Sequence, residues 1–159
     1  MKSVIEHANN GGFVMGICNG FQILCETNLL PGTLLRNNNQ KFICKNLYIK
    51  SSNSCLLTKE ISSKQSLLIP IAHAEGRYYA EPKTLKSLIS NKQIMFKYCD
   101  INGDVNMENN PNGSIKNIAG ICNKSKNVFG MMPHPERACD PNLNNSDGKL
   151  IFESIIANI

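Results

Sequence analysis

Gly16-Ile17-Cys18-Asn19-Gly20 is the stretch of this sequence whose residue types and spacing point most directly to chemistry. A cysteine with glycine two residues away on each side, between an apolar run and a helical pattern, is the thiol form of a nucleophile elbow. The nucleophile sits at a tight, strained turn, and glycines at the flanking positions avoid clashes there. Its side chain then projects above the end of a sheet. The following helix points its positive N-terminus at the sulfur, which favours thiolate. The Asn19 backbone N–H falls where it stabilises an oxyanion. The competing description is a buried cysteine between two incidental glycines.

A thiolate attacking an acyl carbon needs a general acid for the leaving group, usually histidine. The chain has three. His7 lies in an N-terminal helical segment and is expected at the surface. His73 and His134 compete, because each has a glutamate two positions later: His73-Ala74-Glu75 and His134-Pro135-Glu136. In extended chain, residues i and i+2 face the same way. The glutamate can then hold one imidazole nitrogen while the other faces the thiol, the orienting role of a triad. Pro133 and Pro135 restrict the backbone at His134 and are expected to hold it extended. His73 is followed by Gly76, Tyr78 and Tyr79, which reads as a loop approaching a ligand. The residues favour His134 and leave His73 open as the alternative.

The elements that must position these groups can be read from periodicity. Met1–Asn10 reads as a short helix ended by Gly11-Gly12. Phe13–Cys18 is an apolar run best read as a buried strand. Asn19–Leu30 carries Phe21, Leu24 and Cys25 at helical spacing and stops at Pro31-Gly32. Lys41–Ile49 and Ser66–Ala72 read as strands, and Lys83–Ile89 as a helix. Ile94–Tyr98, Ile118–Cys122 and Val128–Met132 are short strands, the last two flanking a hairpin turn at Asn123–Asn127. The tail from Asp147 is an amphipathic helix, with Asp147 as its cap and Leu150, Ile151, Ile155 and Ile156 as its buried face. Strands mixed with helices at both ends argue for an α/β class.

Composition excludes several other classes. The chain has 159 residues, 42% hydrophobic and 18% charged, enough for a real core in one domain. Its net charge is +5, but fourteen of the seventeen cations are lysines scattered along the chain, and there is no tryptophan. That pattern argues against nucleic-acid binding, which clusters cations and interleaves aromatics. The apolar runs Phe13–Cys18 and Leu67–Ala72 are far too short to span a bilayer. No signal-peptide h-region is present at the N-terminus, so the chain reads as cytoplasmic. Seven cysteines, odd in number and without a C-x-x-C pair, suit neither a disulfide framework nor a zinc site. No metal site is expected.

The motifs also resemble a known family. Gly16-Ile-Cys18-Asn-Gly20-Phe-Gln22 resembles the nucleophile motif of class I, triad-type glutamine amidotransferases, and Gly130-Met-Met-Pro-His134-Pro-Glu136-Arg137 resembles their His/Glu motif. The segments GICNGFQIL, LLPGTLLRN, KFIC, PIAHAEGRYYA, ING, IAGICN and GMMPHPERA resemble, in order, the glutaminase subunits of phosphoribosylformylglycinamidine synthase. The resemblance implies a flavodoxin-like, three-layer α/β fold. It implies Cys18 as nucleophile, His134 as general acid/base, Glu136 as its partner and the Asn19 N–H in the oxyanion hole. Gln22 would position the bound glutamine. Arg36, Asn37 and the His73–Gly76 segment would line the glutamine pocket or face the synthetase.

The implied reaction is hydrolysis of the glutamine side-chain amide. Ammonia would pass to a synthetase subunit that uses ATP and magnesium in purine synthesis, accompanied by a small accessory subunit. No cofactor is implied for this chain itself. Only seventeen residues precede Cys18, whereas the family places strand–helix units and a glycine-rich oxyanion turn there. The expectation is therefore a glutaminase domain over residues 1–159 that is N-terminally incomplete. A truncated product or remnant, a misassigned start or interrupted frame, and a second polypeptide supplying the rest are the candidate explanations. The alternative function is a catalytically impaired remnant that at most binds the synthetase.

Overall fold

In the computed structural model, residues 1–158 are described. The chain opens with α1 (Lys2–Asn9), turns at Gly11, and enters β1 (Val14–Ile17). The amide of Asn127 ties this turn down, donating to Ala8 O and Gly12 O at 2.8 Å each. Then α2 (Asn19–Glu26) begins directly after Cys18. It ends four residues before Leu30. The Thr27 hydroxyl donates to Ile23 O at 2.8 Å and Asn28 turns the chain at φ 60°. Phe21, Leu24 and Cys25 are buried on α2 as their spacing implied, and Leu30, past its end, is buried as well.

The chain continues through β2 (Thr33–Leu35), β3 (Ile43–Ser51), β4 (Ser66–His73) and β5 (Arg77–Tyr79). After these come α3 (Pro82–Ser90), β6 (Ile94–Cys99), β7 (Ile118–Cys122), β8 (Val128–Met131) and α4 (Lys149–Ile156). Pro82 opens α3, where its missing N–H costs nothing. β7 and β8 form the expected hairpin, its turn pinned by Asn123 Oδ1, which accepts from the Asn127 and Val128 N–H groups. β2 and β5 pair with each other in a small separate sheet that periodicity could not show.

The main sheet has the order β1-β8-β7-β6-β3-β4, with β1 parallel to β8 and every other pair antiparallel. Two apolar cores flank it. One joins Ile49, Ile69, Ile71, Phe96 and Phe129 to Ile151 and Ile155 of α4. The other joins Ile118, Ile121 and Val128 to Ala8 of α1, Phe21 and Leu24 of α2, and Leu88 of α3. This is the expected three-layer α/β arrangement. In α4 two expectations fail. Ile156 is 77% exposed, and Asp147 does not cap the helix. Its carboxylate instead accepts the Leu68 N–H at 2.7 Å.

That last contact belongs to the feature that builds the site. β1 and β4 are the two end strands, yet the outer edge of β4 is covered by segments connected to β1 and β8. Leu68 O accepts from Asn145 Nδ2 at 2.6 Å, Pro70 O from the His134 N–H at 2.8 Å, and Ala72 O lies 3.9 Å from Cys18 Sγ. The sheet therefore curls until its ends meet. Pro70, with no N–H to offer, suits this outward position on an end strand. Covering the edge also removes a pairing hazard.

Candidate active site

Cys18 lies at the end of β1 with φ 52° and ψ −107°, a strained conformation for a residue with a side chain. Its N–H donates to Met131 O at 2.8 Å, and its carbonyl accepts the Gln22 N–H at 3.2 Å. The elbow is thus clamped between β8 and the first turn of α2. Gly16 is required: a Cβ there would lie 2.6 Å from the Gly20 carbonyl carbon and 2.7 Å from its oxygen. Gly20 corrects the sequence reading, because a Cβ on it would meet no neighbour within 4 Å. The close approach runs one way only, with Gly20 supplying backbone for Gly16 to touch.

The thiol also differs from expectation. Burial pushes the Cys18 thiol up, and the Glu136 carboxylate adds to that. The Asn19 N–H and the Arg137 guanidinium pull in the other direction without overcoming burial. At this sulfur burial outweighs the Asn19 N–H at the start of the helix, contrary to the expected favouring of thiolate.

The expected base, His134, docks on the same stretch of β4. His134, 6% exposed, is fixed through its N–H to Pro70 O, two residues along the strand from the carbonyl beside Cys18. Its Nδ1 lies 2.5 Å from Glu136 Oε1. A carboxylate only accepts, so Nδ1 carries the hydrogen and Nε2 presents a lone pair. Nε2 is buried and has no hydrogen-bond partner. The pair does not arise from extended chain, as the prolines suggested. Pro135–Arg137 forms a 3-10 turn that brings Glu136 back over the ring. Arg137 Nε lies 3.5 Å from the same Glu136 oxygen.

His73 meets a different partner. Its Nδ1 lies 3.1 Å from Asn37 Oδ1, and Glu75 is exposed. Asn37 is fully buried and saturated: Nδ2 donates to Lys41 O and His73 O, while Oδ1 also accepts the Gly76 N–H. Asn37 therefore braces the site and has no capacity left for a ligand, which corrects its expected place in the pocket lining. Arg36 is exposed, and only its carbonyl is engaged, accepting from Arg77 Nε at 2.9 Å. The structure does not bring its side chain to Cys18.

Gln22 does face the site's outer wall. Its Nε2 donates to Glu75 O at 2.7 Å, and a recess of about 70 Å³ lies among Gln22, Glu26, Thr33, Leu34 and Glu75. Sequence reasoning missed the Ala72 carbonyl and the Arg137 cation, and it named Gly76 only as part of the lining segment, whereas a Cβ there would strike the His73 ring. Arg137 was within the quoted motif, and its charge beside Glu136 was the available signal.

A nucleophile, a base with a bare nitrogen and a carboxylate behind it form the constellation for acyl transfer. Comparisons with known proteins show the family. Residues 1–151 match the family model of the CobB/CobQ-like glutamine amidotransferase domain. The phosphoribosylformylglycinamidine synthase subunit PurQ of Acaryochloris marina is 50% identical over 157 residues, 98% of this chain and 67% of that protein. PurQ of Pelagibacter ubique is 50% identical over 159 residues, 100% of this chain and 70% of that protein. The structure of PurLQS from Thermotoga maritima superposes with a TM-score of 0.81 at 38% identity, covering 97% of this chain and 65% of the matched one. This chain thus spans about two thirds of the length of these relatives. No helix among the described residues is long and apolar enough to cross a membrane. With the family model matching nearly the whole chain and half of its residues shared with such relatives, the chain belongs to the glutamine amidotransferases and, within them, to the PurQ subunits of phosphoribosylformylglycinamidine synthase.

Proposed function

We propose that this chain hydrolyses the side-chain amide of glutamine through Cys18, His134 and Glu136, and supplies the ammonia to a synthetase subunit for purine synthesis. The observation that carries the reading is the 2.5 Å contact between His134 Nδ1 and Glu136, which leaves Nε2 buried and bare on a residue docked two positions along β4 from the carbonyl beside Cys18 Sγ. His134 Nε2 takes the thiol proton as Sγ bonds to the amide carbon. The Asn19 N–H donates to the oxygen that gains charge. The C–N bond then breaks while His134 returns the proton to the departing nitrogen, giving ammonia and a γ-glutamyl thioester. Water, deprotonated by His134, releases glutamate and restores the thiol. Gln22 and the recess beside it receive the rest of the glutamine molecule.

The partners of this reading are the synthetase subunit, which holds ATP and magnesium, and a small accessory subunit, with the whole assembly in the cytoplasm. PurLQS of Thermotoga maritima is the solved relative that supports it. The test is glutamine-dependent ammonia release by the full chain with its synthetase, together with labelling by an electrophilic glutamine analogue. Labelling on Cys18 that disappears in Cys18→Ser is the expected result. Folded protein that releases no ammonia and takes no label would overturn it.

A further inference from the structure

The loop that leaves β6 differs from the rest of the chain in charge. Residues 98–115 hold three acids, Asp100, Asp104 and Glu108, and no lysine or arginine, in a protein whose net charge is +5. The same loop leaves Ile101 63%, Val105 41% and Met107 75% exposed. Large apolar side chains gathered on one exposed segment and rimmed by polar groups mark an interaction surface, whereas single ones need no explanation.

The exposure does not come from a loose backbone. Ser66 Oγ donates to Ile101 O at 2.6 Å, Lys50 Nζ to Gly103 O at 2.7 Å, and Asn117 Nδ2 to Asn106 O at 2.6 Å. Asp100 Oδ1 accepts the Asn102 and Asp104 N–H groups at 2.9 and 2.8 Å. Groups on β4, β3 and the turn before β7 thus fix the loop while its apolar side chains stay outside. A surface fixed in advance loses little entropy when a partner covers it. Between the loop and β3 runs a groove of about 370 Å³, lined by Lys45, Tyr48, Cys99, Ile101, Glu108 and Asn109.

Strand directions place this loop at the reactive end of the molecule. β1 runs parallel to β8, and two antiparallel steps through β7 give β6 the same direction. Two more through β3 do so for β4. Cys18 follows β1, His73 ends β4 and the loop follows β6, so all three lie at one end of the sheet. Ammonia released there loses its nucleophilic lone pair once it gains a proton from water, so its consumer must cover that end. We propose that the loop of residues 100–108 is a docking surface for the synthetase subunit, which meets it with an apolar socket rimmed by lysine or arginine. The inference rests on the glutaminase reading above. A second copy meeting the loop through its own loop, the usual symmetric contact, would bring like charges together. The acids steer the basic rim into place, and Ile101, Val105 and Met107 supply the buried contact.

The experiment measures binding of the full chain to its synthetase subunit by surface plasmon resonance at low and high salt. A double variant, Ile101→Asp with Met107→Asp, is expected to bind at least about tenfold more weakly. Glu108→Lys is expected to associate more slowly and to lose part of the salt dependence. Ile89→Asp is the control, an exposed apolar position on α3, which leads into the opposite end of β6, and it should bind like the unaltered chain. Unchanged affinity in the folded double variant would overturn the proposal, as would a loss that Ile89→Asp matches. Loop variants that break a self-associated form of the chain and leave synthetase binding intact would overturn it too. If circular dichroism shows the double variant unfolded, Glu108→Lys decides: an unchanged association rate overturns the proposal, and a slower one supports it. Failure of the glutaminase reading looks different, since the unaltered chain would then release no ammonia from glutamine with its synthetase present.

Discussion

Two histidines in this molecule carry the same local sequence sign, a glutamate two residues later, and the fold gives them opposite chemistry. His134 turns its Nδ1 to the Glu136 carboxylate, and His73 turns its Nδ1 to the neutral amide of Asn37. A carboxylate stabilises an imidazolium and an amide does not. The first ring therefore has the partner that the proposed acid/base role requires, and the second does not. The difference comes from the chain after each histidine. At His134 a 3-10 turn folds the glutamate over the ring, whereas after His73 the chain bends at Gly76 and sends Glu75 to solvent.

The contrast can be attacked in order of effect. Cys18→Ala and His134→Ala are each expected to lower kcat for glutamine by at least about 10³-fold with the fold intact, because members of a nucleophile–base unit fail together. Steady-state ammonia release beside a circular-dichroism melt measures this. Glu136→Gln should cost roughly 10–100-fold in kcat, less than the first pair because the carboxylate is half-exposed and Arg137 shares it. Asn37→Ala acts on the other ring and should chiefly lower stability, by about 2–4 kcal/mol, since it strands several buried donors and acceptors. In a domain of this size that reads as a fall in Tm of roughly 5–15 °C.

Acid titration separates the rings again. The folded His73 resists protonation until about pH 4, while in the unfolded chain it takes a proton near 6.5. Between those values the unfolded state binds more protons, so this group's contribution is full above pH 6.5 and is lost as pH falls toward 4. The limiting slope is about 1.4 kcal/mol per pH unit. His73→Phe should flatten that part of a pH–stability curve measured by denaturant melts. Glu75→Gln is the smallest case, with stability in the same melts expected within about 0.5 kcal/mol, because its side chain is exposed and the hydrogen bond from Gln22 goes to its backbone carbonyl. A large loss there would show that the two histidines are more alike than their surroundings suggest.

Much of the site was legible because its parts are local. Gly16, Cys18 and the start of α2 lie within one turn, and the prolines around His134 advertise a restricted backbone. The helix C-terminus at Glu26, the role of Asp147 and the freedom at Gly20 were not legible, since each depends on partners distant in sequence. The same holds for β2 and β5, three residues each and forty-four apart from start to start, which exist only because they pair. Asn37 looked like a ligand residue on resemblance. Only the folded neighbourhood shows that every polar atom of its side chain is already committed.

The meeting of the sheet's two ends also changes what loss of activity would report. Cys18 and His134 arrive from the β1–β8 end, and the Pro70 and Ala72 carbonyls they touch belong to the opposite end. A partial opening along that seam would separate nucleophile, base and their shared backing while leaving both cores packed. Catalysis would then behave as a gauge of seam closure. On gentle heating, turnover would decline, and amides along the outer edge of β4 would begin to exchange with solvent, before the global melt.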